Sequence, residues 1–191
     1  MNMTRPGGLP EPGIPDERLV IPAIAMDGSL FPIGKMEAHR QGQKHLAVSV
    51  FVFAGDKLLI QRRAGAKYHC GGQWANTCCS HPHWGETPAD CAQRRLGEEV
   101  GLALPLAFRS IVDYQADVGA GLIENERVHV FRGDLDENAD VGGFDPAEVQ
   151  EVRWIDTGEL IEEAGREPHR FTPWLRIYLA RWSELALRAA R

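Results

Sequence analysis

Residues 87–101, TPADCAQRRLGEEVG, read as a helix punctuated at both ends, and they restrict what this chain can fold into more than any other segment. Thr87 offers a hydroxyl to an unpaired N–H of the first turn. Pro88 fits the first helical position, where its missing N–H costs nothing, and Gly101 suits the left-handed residue that ends a helix. Ala92, Leu96 and Val100 share one helical face, which therefore packs on an apolar surface. Arg94 with Glu98, and Arg95 with Glu99, are spaced to pair along the helix, and as solvated pairs they would contribute only about 0.3 to 0.5 kcal/mol each. Immediately before the helix, WANTCC reads as a strand and SHPHWGE as a loop. Two thiols, Cys78 and Cys79, thus stand beside His81 where strand gives way to loop.

The surface that receives this helix is a sheet. HLAVSVFVFA, GDK and LLIQRR form a hairpin of Val, Phe, Ile and Leu that reads as the sheet centre, and LVIPAIA, MDGS and LFPIGK form a second hairpin turning at Asp27-Gly28. MEAHRQGQKH reads as a polar connector between them. FRSIVDYQA, LIENERVHVFRG and EVQEVRW are further strands, and TGELIEEAG is a short helix. A C-terminal helix over 172–191, opened by Thr172-Pro173, would bury Trp174, Leu175, Tyr178, Leu179, Trp182 and Leu185. No strand-helix-strand unit repeats, so the expected class is a mixed α+β sandwich and not a doubly wound fold. Residues 1–17 are rich in Pro and Gly, bury too little to offset ordering, and are expected to be a disordered tail before a single domain over 18–191.

Composition narrows the chemistry. With 191 residues, 43% of them apolar, and a net charge of -6, the chain is that of a soluble globular protein with no basic surplus for nucleic acid. It has neither a span-length apolar run nor a signal sequence, so no membrane role and a cytoplasmic location are expected. The cysteines at 70, 78, 79 and 91 show no C-x-x-C pairing and are expected to be reduced.

Period two in LIENERVHVFRG aligns Leu122, Glu124, Glu126, Val128 and Val130 on one face. Two carboxylates about 7 Å apart along the strand then share a face with aliphatics. If that face is buried, both need partners or a metal; the opposite face, with Asn125 and Arg127, is the less suitable one to bury. His39 and His45 in a polar connector read as solvated unless something else points to metal. Arg62, Arg63 and Lys67 form a basic cluster at a strand end, which fits either a solvated loop or an anion site.

Taken together, RRAGAK, WANTCCSHP, RRLGEEVG, GLIENE and FTPW resemble, in order and spacing, the type 1 isopentenyl-diphosphate isomerases, a branch of the Nudix fold. The resemblance runs from about His39 to Leu175 and implies a Nudix-like α/β/α sandwich with a mixed sheet. Glu86, Arg94, Glu98, Glu99 and Gly101 keep the register of the hydrolase box, but Ser80 replaces its first Gly and Arg95 replaces one of its Glu residues. That removes a carboxylate from the metal-gathering set of the hydrolases.

The resemblance implies catalytic roles for Cys79, Glu126 and Tyr114, with Cys79 chosen over Cys78 because it directly precedes Ser80-His81-Pro82. It implies a metal site of His39, His45, His81, Glu124 and Glu126, a set suited to Zn²⁺ or Mn²⁺. Glu99 would hold Mg²⁺ against a small-molecule diphosphate, while Arg63, Lys67 and Arg95 would contact the phosphates and Trp174 would face the reacting carbons. No flavin or nicotinamide is implied, and the chain is expected to act as a monomer or weak homodimer. The interval from His39 to His45 is one residue shorter than in the family, and Gly71 stands where a Pro commonly precedes the Gly.

The implied reaction is a 1,3-proton shift between isopentenyl and dimethylallyl diphosphate, in which Glu126 gives a proton and Cys79, as thiolate, takes one. Two other readings share parts of the pattern. A Nudix-type diphosphate hydrolase would need neither Cys79 nor the histidines, and a non-catalytic metal-stabilised binding domain would leave Cys79 unexplained.

Overall fold

The computed structural model describes residues 18–67, 69–136, 139, 141 and 143–187, so the tail expected over 1–17 lies outside the described residues. Among the described residues, nine strands join in one sheet: β1 Val20–Ile24, β2 Leu30–Gly34, β3 His45–Ala54, β4 Lys57–Arg63, β5 Trp74–Ala75, β6 Cys78–Ser80, β7 Ala107–Gly119, β8 Leu122–Asp134 and β9 Val149–Asp156. Strand β3 lies at the centre. It is antiparallel to β1, β4 and β6, and parallel to β8. Strand β7 pairs antiparallel with β8, and β9 with β4.

Alternation along β3 divides the core between the two faces of the sheet. Ala47, Phe51 and Phe53 enter a cluster with Leu160, Trp174, Leu175 and Tyr178, which belong to helices α3 (Thr157–Arg166) and α4 (Pro173–Ala180). Val48, Val50 and Val52 face the other way, against Ala92, Leu96 and Val100 of α2 (Pro88–Val100). The result is a mixed sheet between helices, the expected α/β/α sandwich.

Helix α2 has the expected ends. Thr87 Oγ1 accepts from Asp90 N at 3.2 Å, and Gly101 takes the left-handed conformation at φ 69°. A Cβ at Gly101 would also lie 2.5 Å from the Gly143 carbonyl oxygen, so both backbone conformation and space exclude a side chain there.

Three elements depart from the sequence reading. The polar connector contains a helix, α1 (Lys35–Gln41), too short to persist alone and held by packing of Ala38 against Leu19 and Ile21. WANTCC is two strands: β5 pairs with β4, then Asn76 and Thr77 carry the chain across to β3, where β6 begins. Thr77 pins the crossing by donating to Leu59 O at 2.6 Å and accepting from Val52 N at 2.9 Å. The C-terminal helix stops at Ala180, and Trp182–Leu185 continue as a 3₁₀ turn that buries Leu185. Trp182 is only half-buried, whereas the other five apolar residues expected on that helix are buried.

Candidate active site

Sheet register places the chemistry. His45 of β3 is directly beside Glu126 of β8, and Glu126 is directly opposite Tyr114 of β7, so the three form one row across the sheet. Farther along β3, Ser49 pairs with Cys79 of β6 on the same face. Adjacent strand residues point to opposite faces. Cys78 therefore enters the core beneath α2, while Cys79 lines a cavity of about 450 Å³. The sheet itself thus distinguishes two neighbouring thiols.

Beside that row lies a histidine cage. The donor atoms of His39, His45, His81 and Glu126 all lie within 4.8 Å of one another, and all four residues are buried. His39 Nδ1 bonds to Lys35 O at 2.8 Å and His45 Nδ1 to Gln43 O at 2.7 Å. A carbonyl can only accept, so each Nδ1 carries a proton and Nε2 is the ring nitrogen left to face the cage. Both Nε2 atoms are buried with no hydrogen-bond partner. Burial, and then the neighbouring His45, lower the His39 pKa to about 4; burial lowers that of His81 to about 3 against the raising effect of Glu126. Imidazole nitrogens converging with a carboxylate oxygen form a fitting donor set for a borderline divalent cation. The shorter His39 to His45 interval is spanned by Gly42 in the left-handed conformation, and both histidines reach the cage.

These depressed values give a pH prediction. The unfolded chain protonates His39 near the ordinary 6.5 while the folded chain resists until about 4. The unfolded state therefore binds more protons between those values, and stability is lost as pH falls through that window. Metal-free protein should melt at progressively lower temperature from pH 6.5 to 4, and His39→Asn should make the decline shallower in calorimetric scans, His81 supplying part of what remains. A wild-type melting temperature constant across the window would contradict the buried neutral assignment.

Glu124 and Glu126 are the inward pair expected from the strand period, at 4% and 5% exposure. Tyr114 Oη lies 2.8 Å from Glu124 Oε2 and 2.8 Å from Glu126 Oε2. One hydroxyl proton cannot serve two carboxylates at once, so the group is complete only when one acid is protonated. Burial and the charge of Glu126 push Glu124 well up. Burial also acts to raise Glu126, but His45 and His81 outweigh it and hold that carboxylate well below its usual range.

In the structure Cys79 carries its proton, while the role the resemblance implies for it requires the thiolate at the moment it takes a proton. Burial pushes its pKa well up, against the lowering effect of Ser49 and Asn76, and Sγ donates to Asn76 Oδ1 at 2.8 Å. Ser49 Oγ lies 3.2 Å from Sγ and 2.8 Å from the Tyr178 hydroxyl, so a hydroxyl chain stands ready to support charge on sulfur.

The basic groups gather in the same cavity. Arg63, Lys67 and Arg95 all line it, as does Trp174, whose ring carries the Arg63 guanidinium at 5.2 Å from its centroid. Lys67 Nζ pairs with Glu148 at 2.7 Å, and Arg95 pairs with Glu99 at 2.6 Å and Glu148 at 3.3 Å. Glu99 is buried; Oε1 accepts from Arg95 and Oε2 from Gln61 at 2.9 Å. Each carboxylate oxygen keeps a second lone pair, so Glu99 can also serve a Mg²⁺ ion.

Sequence reasoning missed several neighbours. Lys35 and Glu148 line the cavity, and His69 joins His39 and Glu124 in a second group of donor atoms within 4.8 Å of one another. Ser49, Asn76 and Gln61 hold Cys79 and Glu99. The strand period could have flagged Ser49, a lone hydroxyl in an apolar strand; nothing in the sequence pattern marks the loop residues.

The NUDIX domain family matches residues 43–175. A curated relative from Cereibacter sphaeroides (strain ATCC 17025 / ATH 2.4.3), named isopentenyl-diphosphate Delta-isomerase, is 55% identical over 156 residues, which is 81% of this chain and 88% of its own. A relative of the same name from Dinoroseobacter shibae is 56% identical over 160 residues, 83% of this chain and 90% of its own. Among solved structures, one from Deinococcus radiodurans is similar at a TM-score of 0.69 with 14% identity, covering 85% of this chain and 98% of that one. The MutT protein of Methanosarcina mazei Go1 is similar at 0.58 with 19% identity, covering 73% and 93%. At these identities the solved structures speak for the fold.

Proposed function

The chain belongs to the isopentenyl-diphosphate Delta-isomerases of the NUDIX domain family, and from that premise we propose how its residues interconvert isopentenyl and dimethylallyl diphosphate. The observation that carries the reading is the placement of Cys79 and the Glu124–Tyr114–Glu126 group in one cavity beneath Trp174. An alkene is a poor base. Moving its double bond requires an acid at the terminal carbon, a base at the neighbouring methylene, and protection of the intermediate cation from water.

Glu126 gives the proton and Cys79 takes the other. The reverse reaction exchanges the roles, so each group must exist in both forms. The thiol on Cys79 together with the carboxylate on Glu126 is the form that protonates dimethylallyl diphosphate; moving the proton from sulfur to carboxylate gives the form that protonates isopentenyl diphosphate. No net proton is gained or lost. Tyr114 passes the acid proton between the glutamates, Ser49 and Tyr178 support the sulfur charge, and the Trp174 ring stabilises the cation by about 2 kcal/mol.

His39, His45, His81, Glu124 and Glu126 would hold Mn²⁺ or Zn²⁺, whose charge would orient Glu126 and make its carboxyl more acidic. Glu99 would hold Mg²⁺, supplying countercharge to the diphosphate, while Arg63, Lys67 and Arg95 bind the phosphate oxygens. Glu148 keeps Lys67 and Arg95 in place until the substrate arrives. Arg95 also places a cation within the acidic patch of α2, which disfavours the several-metal assembly of a hydrolase.

One domain over 18–191 contains every group invoked, consistent with a monomer or weak homodimer. The four free cysteines suit the reducing cytoplasm, and no helix among the described residues is long and apolar enough to cross a membrane. Incubation with isopentenyl diphosphate and Mg²⁺ in D₂O should place deuterium in the dimethylallyl product. Unlabelled product would refute exchange through these side chains, and released phosphate would favour hydrolysis.

A further inference from the structure

The loop between β4 and β5 brings a fourth histidine beside the cage, next to His39 and Glu124. His69 is buried, its Nε2 lies 3.9 Å from Glu124 Oε1, and its donor atom lies within 4.8 Å of those of His39 and Glu124. The loop is shaped to hold it there. Cys70, the next residue, adopts a positive φ of 52°, and Gly71 approaches the Gly65 carbonyl so closely that a Cβ would lie 2.6 Å from the oxygen. A left-handed non-glycine residue is a cost the surrounding fold must offset. A proline at position 71 would meet the Gly65 carbonyl, so the departure there goes with a distinct loop path. Arg63 Nη2 adds a long bond to the His69 carbonyl at 3.5 Å, and the imidazole stands edge-on to Trp174 with ring centroids 5.9 Å apart.

We propose that His69 is a ligand of the resident metal ion, so that four imidazoles and two carboxylates enclose a single cation. The two donor groups share His39. Its Nδ1 is committed to Lys35 O, which leaves Nε2 alone to face the cage, and one imidazole lone pair binds one ion. The two groups are therefore two sides of one site. Neighbouring donors at about 2.1 Å from a shared ion would lie roughly 3 Å apart. His81 Nε2 and Glu126 Oε1 are already at 2.9 Å, while His45–Glu126 at 3.6 Å and His69–Glu124 at 3.9 Å require a contraction of under 1 Å. Glu124, whose Oε2 lies 2.8 Å from Tyr114 Oη, would then hold the ion together with His69. Six donors favour an octahedral ion such as Mn²⁺ over tetrahedral Zn²⁺.

This inference rests on the metal site proposed above, and metal binding tests the two separately. Chelator-stripped wild type, His69→Ala and His69→Phe are titrated with Mn²⁺ by calorimetry and with Co²⁺ by visible absorption. The phenylalanine keeps an aromatic edge against Trp174 and the packing of the loop but has no ligand atom. The wild type should bind one ion per chain with a weak, six-coordinate Co²⁺ spectrum. Both variants should bind at least tenfold more weakly and show an altered Co²⁺ spectrum. Wild-type affinity and spectrum in His69→Phe would overturn the role of His69 and leave the other ligands standing, whatever the alanine variant does. Two ions per wild-type chain would overturn the single shared cage, and no bound ion would overturn the metal site itself.

Discussion

Cys79→Ala should abolish turnover, while binding of inorganic pyrophosphate with Mg²⁺ should be unchanged. The thiol is held by Asn76 and Ser49, while Arg63, Lys67 and Arg95, the cations proposed to bind the phosphates, line the same cavity from other elements. Loss of a positioned acid or base costs about 10² to 10⁴ in rate. The cost should reach the upper end here, because the buried site admits no ready substitute. Cys78→Ala is the informative control, being adjacent in sequence and opposite in direction. It removes a buried sulfur from the cluster beneath α2, so it should lower stability by on the order of 1 kcal/mol and leave kcat near wild type. Kinetics, pyrophosphate calorimetry and thermal melts of both variants decide the point. If Cys78→Ala abolished kcat and Cys79→Ala only lowered the melting temperature, the direction of the two thiols would be wrong.

The contrast between these cysteines also shows what sequence can convey. Wherever a side chain's direction follows from strand or helix period, the reading is sufficient: the Glu124–Glu126 face and the buried stripe of α2 follow from periodicity, whereas Cys79 is set apart from Cys78 in the sequence only by its place before Ser80-His81-Pro82 in the resemblance. Direction failed to follow where the backbone leaves regular structure. His69 comes beside His39 and Glu124 in a loop with a left-handed Cys70 and a close approach at Gly71, and no residue pattern announces either. Helix α1 was missed for a related reason. Its seven residues are polar and short, and what holds them is burial of Ala38 against β1, a long-range contact. The C-terminal helix was read too long because the apolar period continues past Ala180. The chain turns at Arg181, whose N–H reaches both Ile177 O and Tyr178 O, and Leu185 is then buried from a 3₁₀ turn.

Charge pairing misled in the other direction. Arg95 and Glu99 have the spacing of an ordinary surface pair, yet Glu99 is 3% exposed and the pair borders the cavity. The feature that separates the two cases, a second layer of partners in Gln61 and Glu148, comes from β4 and from the segment entering β9. Neither was adjacent to the helix in sequence.

Glu126→Gln and Arg95→Ala should both impair the enzyme, and in different kinetic parameters. Glutamine fills the same volume between Tyr114 and His81, but its amide cannot hold or release the acid proton. It also replaces the oxygen charge facing His45 at 3.6 Å and His81 at 2.9 Å. The chemical step should collapse, with kcat down by 10² to 10⁴ or more by the usual range for acid–base groups. Saturating Mn²⁺ should not restore it, which separates loss of the proton from weakened metal binding. Arg95→Ala leaves Glu126, Tyr114 and Cys79 untouched. It removes a charge-assisted contact to the phosphates of about 1.5 to 3 kcal/mol, so KM should rise roughly tenfold or more. The rise should exceed the value of that contact alone. Without the guanidinium, Glu99 loses its pairing at 2.6 Å and Glu148 its pairing at 3.3 Å, and both carboxylates then oppose the diphosphate. Raising Mg²⁺ should recover part of the loss in Arg95→Ala and none of it in Glu126→Gln. A near-normal kcat in Glu126→Gln, or a large kcat loss at unchanged KM in Arg95→Ala, would reverse the roles assigned to the two ends of the cavity.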